Sequence, residues 1–358
     1  MIVTIIIGML AVFFAYMARF EFLKFGLKIS FLIIFFFLAL RYNFGNDYTG
    51  YLRDFIELNS LSKIDYFNIA YFHYEPGWLL LCRIFGKLGF FVMTSFLASL
   101  TCVVYYQFIK KYVPFRYYWL AIFLYIFTPS FLLIQASAMR QQFAVVIFIF
   151  SINYIHEKKP LKYFLCILIA YSFHSSALIL LPFYFIGYLN KRISKAGMGI
   201  ILSIFISLFL LMSIIGRYVN DLITSYFQRY ETYQASGSVG TGLGIIYFSV
   251  FLFLVLLFEK YQTREMSIIF KIAIVSFIFI PLSLYIQLIA RMIMYFGMAT
   301  IIAYPVLAKN MNKSAYRTIF VSYIILITLY SFFNFFYSPL WRGSFGTYHS
   351  IFSAPQVY

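Results

Sequence analysis

Arg41, Asp47, Glu75, Arg140, Gln141, His174 and Arg291 are the residues whose types and positions suit chemistry. Each stands at the end of an apolar stretch or in a break between two. A guanidinium is a planar fork that grips phosphate or carboxylate through two parallel hydrogen bonds. A carboxylate or an imidazole takes the proton from an attacking hydroxyl. Arg41, Arg140 and Arg291, with Gln141, are therefore read as an anion site. Asp47, Glu75 and His174 are the acidic and basic groups that stand with it. No second histidine stands at metal-ligand spacing, so neither a metal nor a cofactor is expected. The chain carries no GxSxG elbow, no Gly-rich phosphate loop and no nucleotide fingerprint, which argues against a nucleotide-sugar donor. A lipid-linked donor that enters from a bilayer fits better.

Three short runs frame these residues. Arg41-Tyr42-Asn43-Phe44-Gly45-Asn46-Asp47 begins where an apolar stretch ends, and its Gly45-Asn46 turn would fold Asp47 back beside Arg41 as an acid–cation pair. Glu75-Pro76-Gly77 opens a helix, where the dipole favours a carboxylate and a capping role is the plain alternative. Ala138-Met139-Arg140-Gln141-Gln142 places a cation at the mouth of an apolar helix, and Arg291 is expected in the same place on a later one. Each arginine alone reads equally as an interfacial anchor.

The elements that hold these groups must span a membrane. Hydrophobic residues make up 63% of the 358-residue chain and charged residues 11%, against roughly 45–50% and about 25% in a soluble domain. The net charge of +17 comes without a basic helix or RNA-binding stretch, so it fits anionic lipid rather than nucleic acid. Cys82, Cys102 and Cys166 form no disulfide framework or CxxC pattern. The first apolar stretch lacks a basic leader and is read as a span.

The expected fold is a single all-α polytopic integral membrane domain over residues 1–358. About twelve crossings are placed near 2–18, 27–40, 90–109, 117–134, 140–155, 161–173, 174–190, 197–216, 241–258, 267–288, 291–308 and 318–337. Residues 76–89 read as a short interfacial or re-entrant helix.

Loop charges then divide the chain. One set of loops is rich in lysine, from Lys24 and Lys28 to Lys309 and Lys313. The other carries arginine (Arg41, Arg53, Arg83, Arg140, Arg217, Arg229, Arg291, Arg342) and lysine only at Lys63 and Lys87. The lysine-rich set is inside, which puts both termini outside along with two long loops, 41–89 including the short helix and 217–240. Leu161 to Leu189 is too short for two full crossings of about 40 residues, yet the charges demand two. A pair of short helices meeting below the outer surface satisfies both, with His174 in an outward-facing aqueous bend.

The ordered pattern R-Y-x-x-G-x-D-Y-x-x-Y, E-P-G, M-R-Q-Q-F-A and F-H-S-S-A-L, between about residues 38 and 180, resembles the EpsG group of Wzy-type polysaccharide polymerases. The C-terminal half resembles it in hydropathy and in an arginine before a span. The resemblance implies a membrane glycosyltransferase like the GT-C class. Such an enzyme would move a growing glycan from undecaprenyl diphosphate to the next lipid-linked repeat unit, on the periplasmic face of a bacterial inner membrane. It also implies O-antigen or exopolysaccharide synthesis, with a chain-length regulator and a flippase of the same pathway as partners. Arg41, Asp47, Glu75, Arg140 and His174 match motif positions, and Arg291 matches in place before a span; the resemblance implies that the arginines, with Gln141, bind the lipid diphosphate and that Asp47, Glu75 and His174 are the candidate bases. The rival readings are a flippase for lipid-linked oligosaccharide, which would want charges along the mid-bilayer path, and an O-antigen ligase, which shares the donor.

Overall fold

A backbone amide in lipid finds no water, so a crossing chain closes its hydrogen bonds within itself. The computed structural model is all-α in keeping with this, and describes residues 1–20, 23–61, 74–188, 195–226, 266–283 and 287–353. Among the described residues, three stretches are long and apolar enough to cross a membrane: Phe90–Tyr112, Arg291–Asn310 and Ser314–Tyr337. Shorter apolar helices accompany them. The protein is thus a membrane protein built of helices, many of them shorter than a bilayer is thick. The chain divides into two compact units, Met1–Tyr184 with Asn312–Tyr358, and Phe185–Met311.

In the first unit, α1 (Ile2–Met17) packs on α2 (Gly26–Ala39), and its buried Thr4, Gly8, Ala11 and Ala15 are small residues at helical spacing that let neighbouring helices approach, Gly8 facing Ile126 and Phe127. Ser30 seals the contact by donating to the Ala11 carbonyl at 2.7 Å. A two-residue strand β1 (Arg41–Tyr42) leads to α3 (Tyr48–Ser60). Tyr48, Tyr51, Phe55 and Leu58 recur every three or four residues along α3 and are buried, which makes it an amphipathic surface helix. Then come α4 (Pro76–Phe85), α5 (Phe90–Tyr112), α6 (Tyr118–Phe127), α7 (Leu133–Ser137), α8 (Met139–His156) and α9 (Pro160–Phe173). Helix α4 is about 15 Å long at 1.5 Å per residue, half a bilayer. It buries Trp78, Leu79, Cys82 and Phe85 and exposes Leu80 and Ile84, as expected of an interfacial or re-entrant piece.

The 117–134 crossing is interrupted. Thr128 is extended because Pro129 follows it, so α6 stops at Phe127 and a broken stretch containing α7 leads into α8. Such backbone survives at membrane depth only inside protein, and Leu132, Leu133, Ala136 and Ser137 are buried.

The Leu161–Leu189 pair is resolved by a change of helix type. After α9, His174 is extended (φ −155°, ψ 120°). Residues Ser175–Tyr188 then run as a 3₁₀-helix. At about 2.0 Å per residue a 3₁₀-helix stretches 14 residues to roughly 28 Å, close to a full bilayer, where an α-helix gives only about 21 Å. The two arms are tied by the Tyr163 hydroxyl, which donates to the Leu180 carbonyl at 2.7 Å.

The unit closes through its C-terminal piece: α14 (Ser314–Tyr337), α15 (Pro339–Phe345) and β2 (His349–Ser350), numbered after the second unit's helices. Strand β2 pairs antiparallel with β1, Arg41 opposite Ser350 and Tyr42 opposite His349. Gly45 N–H donates to the Ser344 carbonyl at 3.0 Å, and the Met1 ammonium donates to the Gly346 carbonyl at 2.7 Å.

The second unit holds α10 (Lys195–Tyr226), α11 (Ser267–Ser283), α12 (Gln287–Gly297) and α13 (Thr300–Asn310). The expected 197–216 crossing is longer than drawn and carries Arg217 and Asp221 on its helix, so the second outer loop starts later than 217. Lys271, grouped with the inner loops from sequence, lies buried within α11. Residues 62–73, the rest of the second outer loop with Arg229, and the 241–258 crossing lie outside the described residues.

Candidate active site

Arg140 is the second residue of α8, just past the Ala138 break. Its guanidinium is gripped from three sides. Nη1 donates to Glu75 Oε2, Nε donates to the Tyr51 hydroxyl at 3.3 Å, and the ring of Tyr74 lies 4.6 Å from its carbon. The two charged side chains are 17% and 19% exposed, sheltered yet still reachable from solvent. A cation over an aromatic face gains about 0.5–2 kcal/mol, more as water is excluded. The Tyr74 hydroxyl donates to Asp54 Oδ2. Burial, then that bond to Asp54, pushes the Tyr74 phenol well above its ordinary range, so it remains a neutral donor.

Glu-Pro-Gly explains how Glu75 gets there. Glu75 precedes a proline and is extended (φ −68°, ψ 146°). Its carboxylate does not cap α4; it crosses to Arg140 and accepts the Ser175 N–H at 3.1 Å on Oε1. Gly77 lets α4 approach the bend, since a Cβ there would sit 2.7 Å from the Ser172 carbonyl oxygen. The bend beside His174 is thereby pinned to the same carboxylate that holds Arg140.

His174 itself is buried rather than open to solvent. Ser176 N–H donates to Nδ1 at 3.3 Å and the Ser176 hydroxyl lies 2.6 Å from the same nitrogen. Ser175 is the exposed residue of the turn.

The Arg41–Asp47 run folds as a turn, but the expected acid–cation pair does not form. Arg41 is 4% exposed and donates Nη1 to the Leu38 carbonyl and Nη2 to the Ala136 carbonyl at 3.2 Å. The Tyr48 ring is 5.9 Å away. Burial lowers the Arg41 pKa from its ordinary value. Asp47 is exposed at the start of α3, and its N–H donates to Ser137 Oγ at 3.0 Å. The reason is Gly45: at φ +116° its α-carbon packs so close to Ser137 that a Cβ would lie 2.8 Å from the serine's. The turn is therefore clamped to the α7–α8 break, and Arg41 is drawn under it. Asp47 stands one helical turn before Tyr51, on the face that meets Arg140.

Arg41 and Arg140 share no partner. Gln141 is buried beside Arg140. Arg291 is half-buried in the second turn of α12, in the second unit. The site thus brings together Glu75, Arg140 and the His174 bend, with Asp47 at the adjoining helix start. Sequence reasoning missed Tyr51, Tyr74 and Ser137. Tyr51 was visible one turn after Asp47 on an amphipathic stripe, and Tyr74 is the residue before Glu75.

The sequence profile of the EpsG family matches residues 24–350. The chain belongs to the EpsG family. No curated protein and no solved structure matches it. In this EpsG-family protein the matched stretch includes every residue of the site as well as strand β2. A guanidinium anchored at a helix start can hold an anionic leaving group.

Proposed function

We propose that this protein polymerises lipid-linked oligosaccharide repeat units on the periplasmic face of a bacterial inner membrane, as an O-antigen polymerase. The growing glycan leaves undecaprenyl diphosphate and joins a hydroxyl of the next undecaprenyl-diphosphate-linked unit. One bond from glycosyl carbon to diphosphate oxygen breaks and one from that carbon to the acceptor oxygen forms. The acceptor's proton goes to a base, and the diphosphate leaves with an added negative charge.

The observation that carries this reading is the prepositioned Arg140, fixed by Glu75, Tyr51 and Tyr74 at a helix start. A donor already in place stabilises developing charge without reorganising. Arg140 binds the diphosphate. Glu75 positions Arg140. Asp47 is the base, being the exposed carboxylate one turn from Tyr51. His174 holds the turn that presents Ser175. Family membership supports the polysaccharide pathway, and a GT-C-like bundle of about twelve crossings, with a chain-length regulator and a flippase as pathway partners, belongs to the same reading.

Deleting the gene in a Gram-negative host and running its lipopolysaccharide on a gel tests the reading. A band of core plus one repeat unit, with the ladder gone, is expected. Core alone would assign the protein to flipping or ligation instead.

A further inference from the structure

Helix α2 ends at Ala39, and the last carbonyls of a helix find no partner within it. Residues 344–351, from much later in the chain, supply partners at this end. The Tyr348 hydroxyl donates to the Phe37 carbonyl at 2.8 Å. The Ile351 N–H donates to the Leu40 carbonyl at 2.8 Å. Strand β2 pairs with β1 between these two bonds, and the Ser344 carbonyl accepts the Gly45 N–H at 3.0 Å. The rings follow the same line. Tyr348 stacks on Phe37 with 4.9 Å between centroids. Phe44 is wholly buried and meets Phe37, Phe345 and Tyr348 edge-on at 5.6, 5.1 and 5.3 Å. The segment is itself anchored, since Trp341 stacks on Phe335 of α14 at 5.3 Å and Phe345 meets the same ring at 5.0 Å.

The turn that leads to Asp47 needs such a grip. Asn43, at φ 45°, lies in the left-handed region, which a residue other than glycine keeps where its surroundings hold it. Gly45 stands between two anchors, Ser344 through its N–H and Ser137 through its α-carbon. Asp47 follows two residues later, its own N–H on Ser137 Oγ. The turn is thus held between the α7–α8 break on one side and residues 344–351 on the other.

We infer that residues 344–351 are a strap that positions Asp47, with Tyr348 and Ile351 as positioning residues for the group transfer. The inference rests on the reading of Asp47 as the base. The strap acts through the turn and sets where the carboxylate stands at the start of α3. A misplacement of about 1 Å at a reacting group is enough to slow a reaction by roughly 10²-fold.

The test is polymer growth by purified full-length protein in liposomes with undecaprenyl-diphosphate-linked repeat units. Tyr348→Phe keeps the ring stack and removes one hydrogen bond. Ile351→Pro removes the other donor at the first residue of a short 3₁₀ turn, where proline's fixed φ fits. Each should lower kcat about 3–10-fold with KM unchanged, the net worth of one hydrogen bond read through the rate. In an Asp47→Asn background neither should lower the residual rate further, because no carboxylate remains to be positioned. A strap that only holds the fold together would cut the active fraction by the same factor in both backgrounds, and that result would overturn the inference. So would a raised KM at full kcat, which assigns the strap to substrate binding. Full kcat in both strap variants, beside an Asp47→Asn protein that has lost its activity, would overturn the inference and leave the base reading standing. Full activity in Asp47→Asn would overturn the base reading and the strap with it.

Discussion

Glu75→Gln separates a positioning carboxylate from a base. The substitution keeps size and still offers an oxygen to Ser175 N–H, now 3.1 Å from Oε1, but removes the charge that faces Arg140. A fully buried pair loses about 3–5 kcal/mol when one partner goes, and an exposed pair about 0–1 kcal/mol. With side chains 17% and 19% exposed, this pair belongs between, at about 1–3 kcal/mol. If that energy holds Arg140 in its transition-state position, the rate falls by about 5–150-fold at 1.4 kcal/mol per decade. The assay is polymer growth by purified protein in liposomes, for Glu75→Gln, Arg140→Gln and the double variant. A carboxylate that acts only through Arg140 contributes nothing once Arg140 is gone, so the double variant should match Arg140→Gln within experimental error. Additive losses would refute the positioning role and make Glu75 an independent participant.

Four further outcomes are expected. Arg140→Lys loses the fork to Glu75 and Tyr51 and should lower polymerisation about 10-fold or more at unchanged protein level, read on the same assay. Gly77→Ala drives a methyl against Ser172 and should destabilise the fold by about 1–3 kcal/mol, seen as a lowered unfolding temperature with lost activity. Tyr48 should make the protein alkali-sensitive. Burial raises its phenol from 10.0 to about 12, so its stabilising share is complete below pH 10 and is lost as pH rises from about 10 to 12. Unfolding temperature against pH should fall less steeply in that window for Tyr48→Phe. Asp47→Asn should cost about 10²–10⁴-fold in rate if Asp47 is the base, whereas His174→Gln should act mainly through stability; a larger catalytic loss in His174→Gln would exchange their roles.

The helices were legible because hydrophobic length and loop charge are strong one-dimensional signals. The interruption at Thr128-Pro129 was written in the sequence too, but an apolar run hid it. The change to 3₁₀ geometry after His174 was not readable, since helix type follows from the length to be covered and not from residue preference. Of the site, Glu75, Arg140 and His174 were each picked out by type at an apolar boundary, while the contact of Glu75 with Arg140 and the Ser175 turn was not. The Arg41–Asp47 pair failed because a turn signal gives a reversal and not its partner: Ser137, distant in sequence, decides where the turn docks. The stacking of Tyr74 and Tyr51 on Arg140 was concealed among the 33 tyrosines of the chain. The pairing of β1 with β2 joins residues about 310 apart, which no local pattern announces.

The most direct test supplies purified protein in liposomes with undecaprenyl-diphosphate-linked repeat units and counts both linkages formed and lipid diphosphate released. One diphosphate per linkage is expected from the wild type, with both lost in Arg140→Gln at equal protein level. Linkages without diphosphate release, or an undiminished rate in Arg140→Gln, would contradict a diphosphate-leaving transfer at this site.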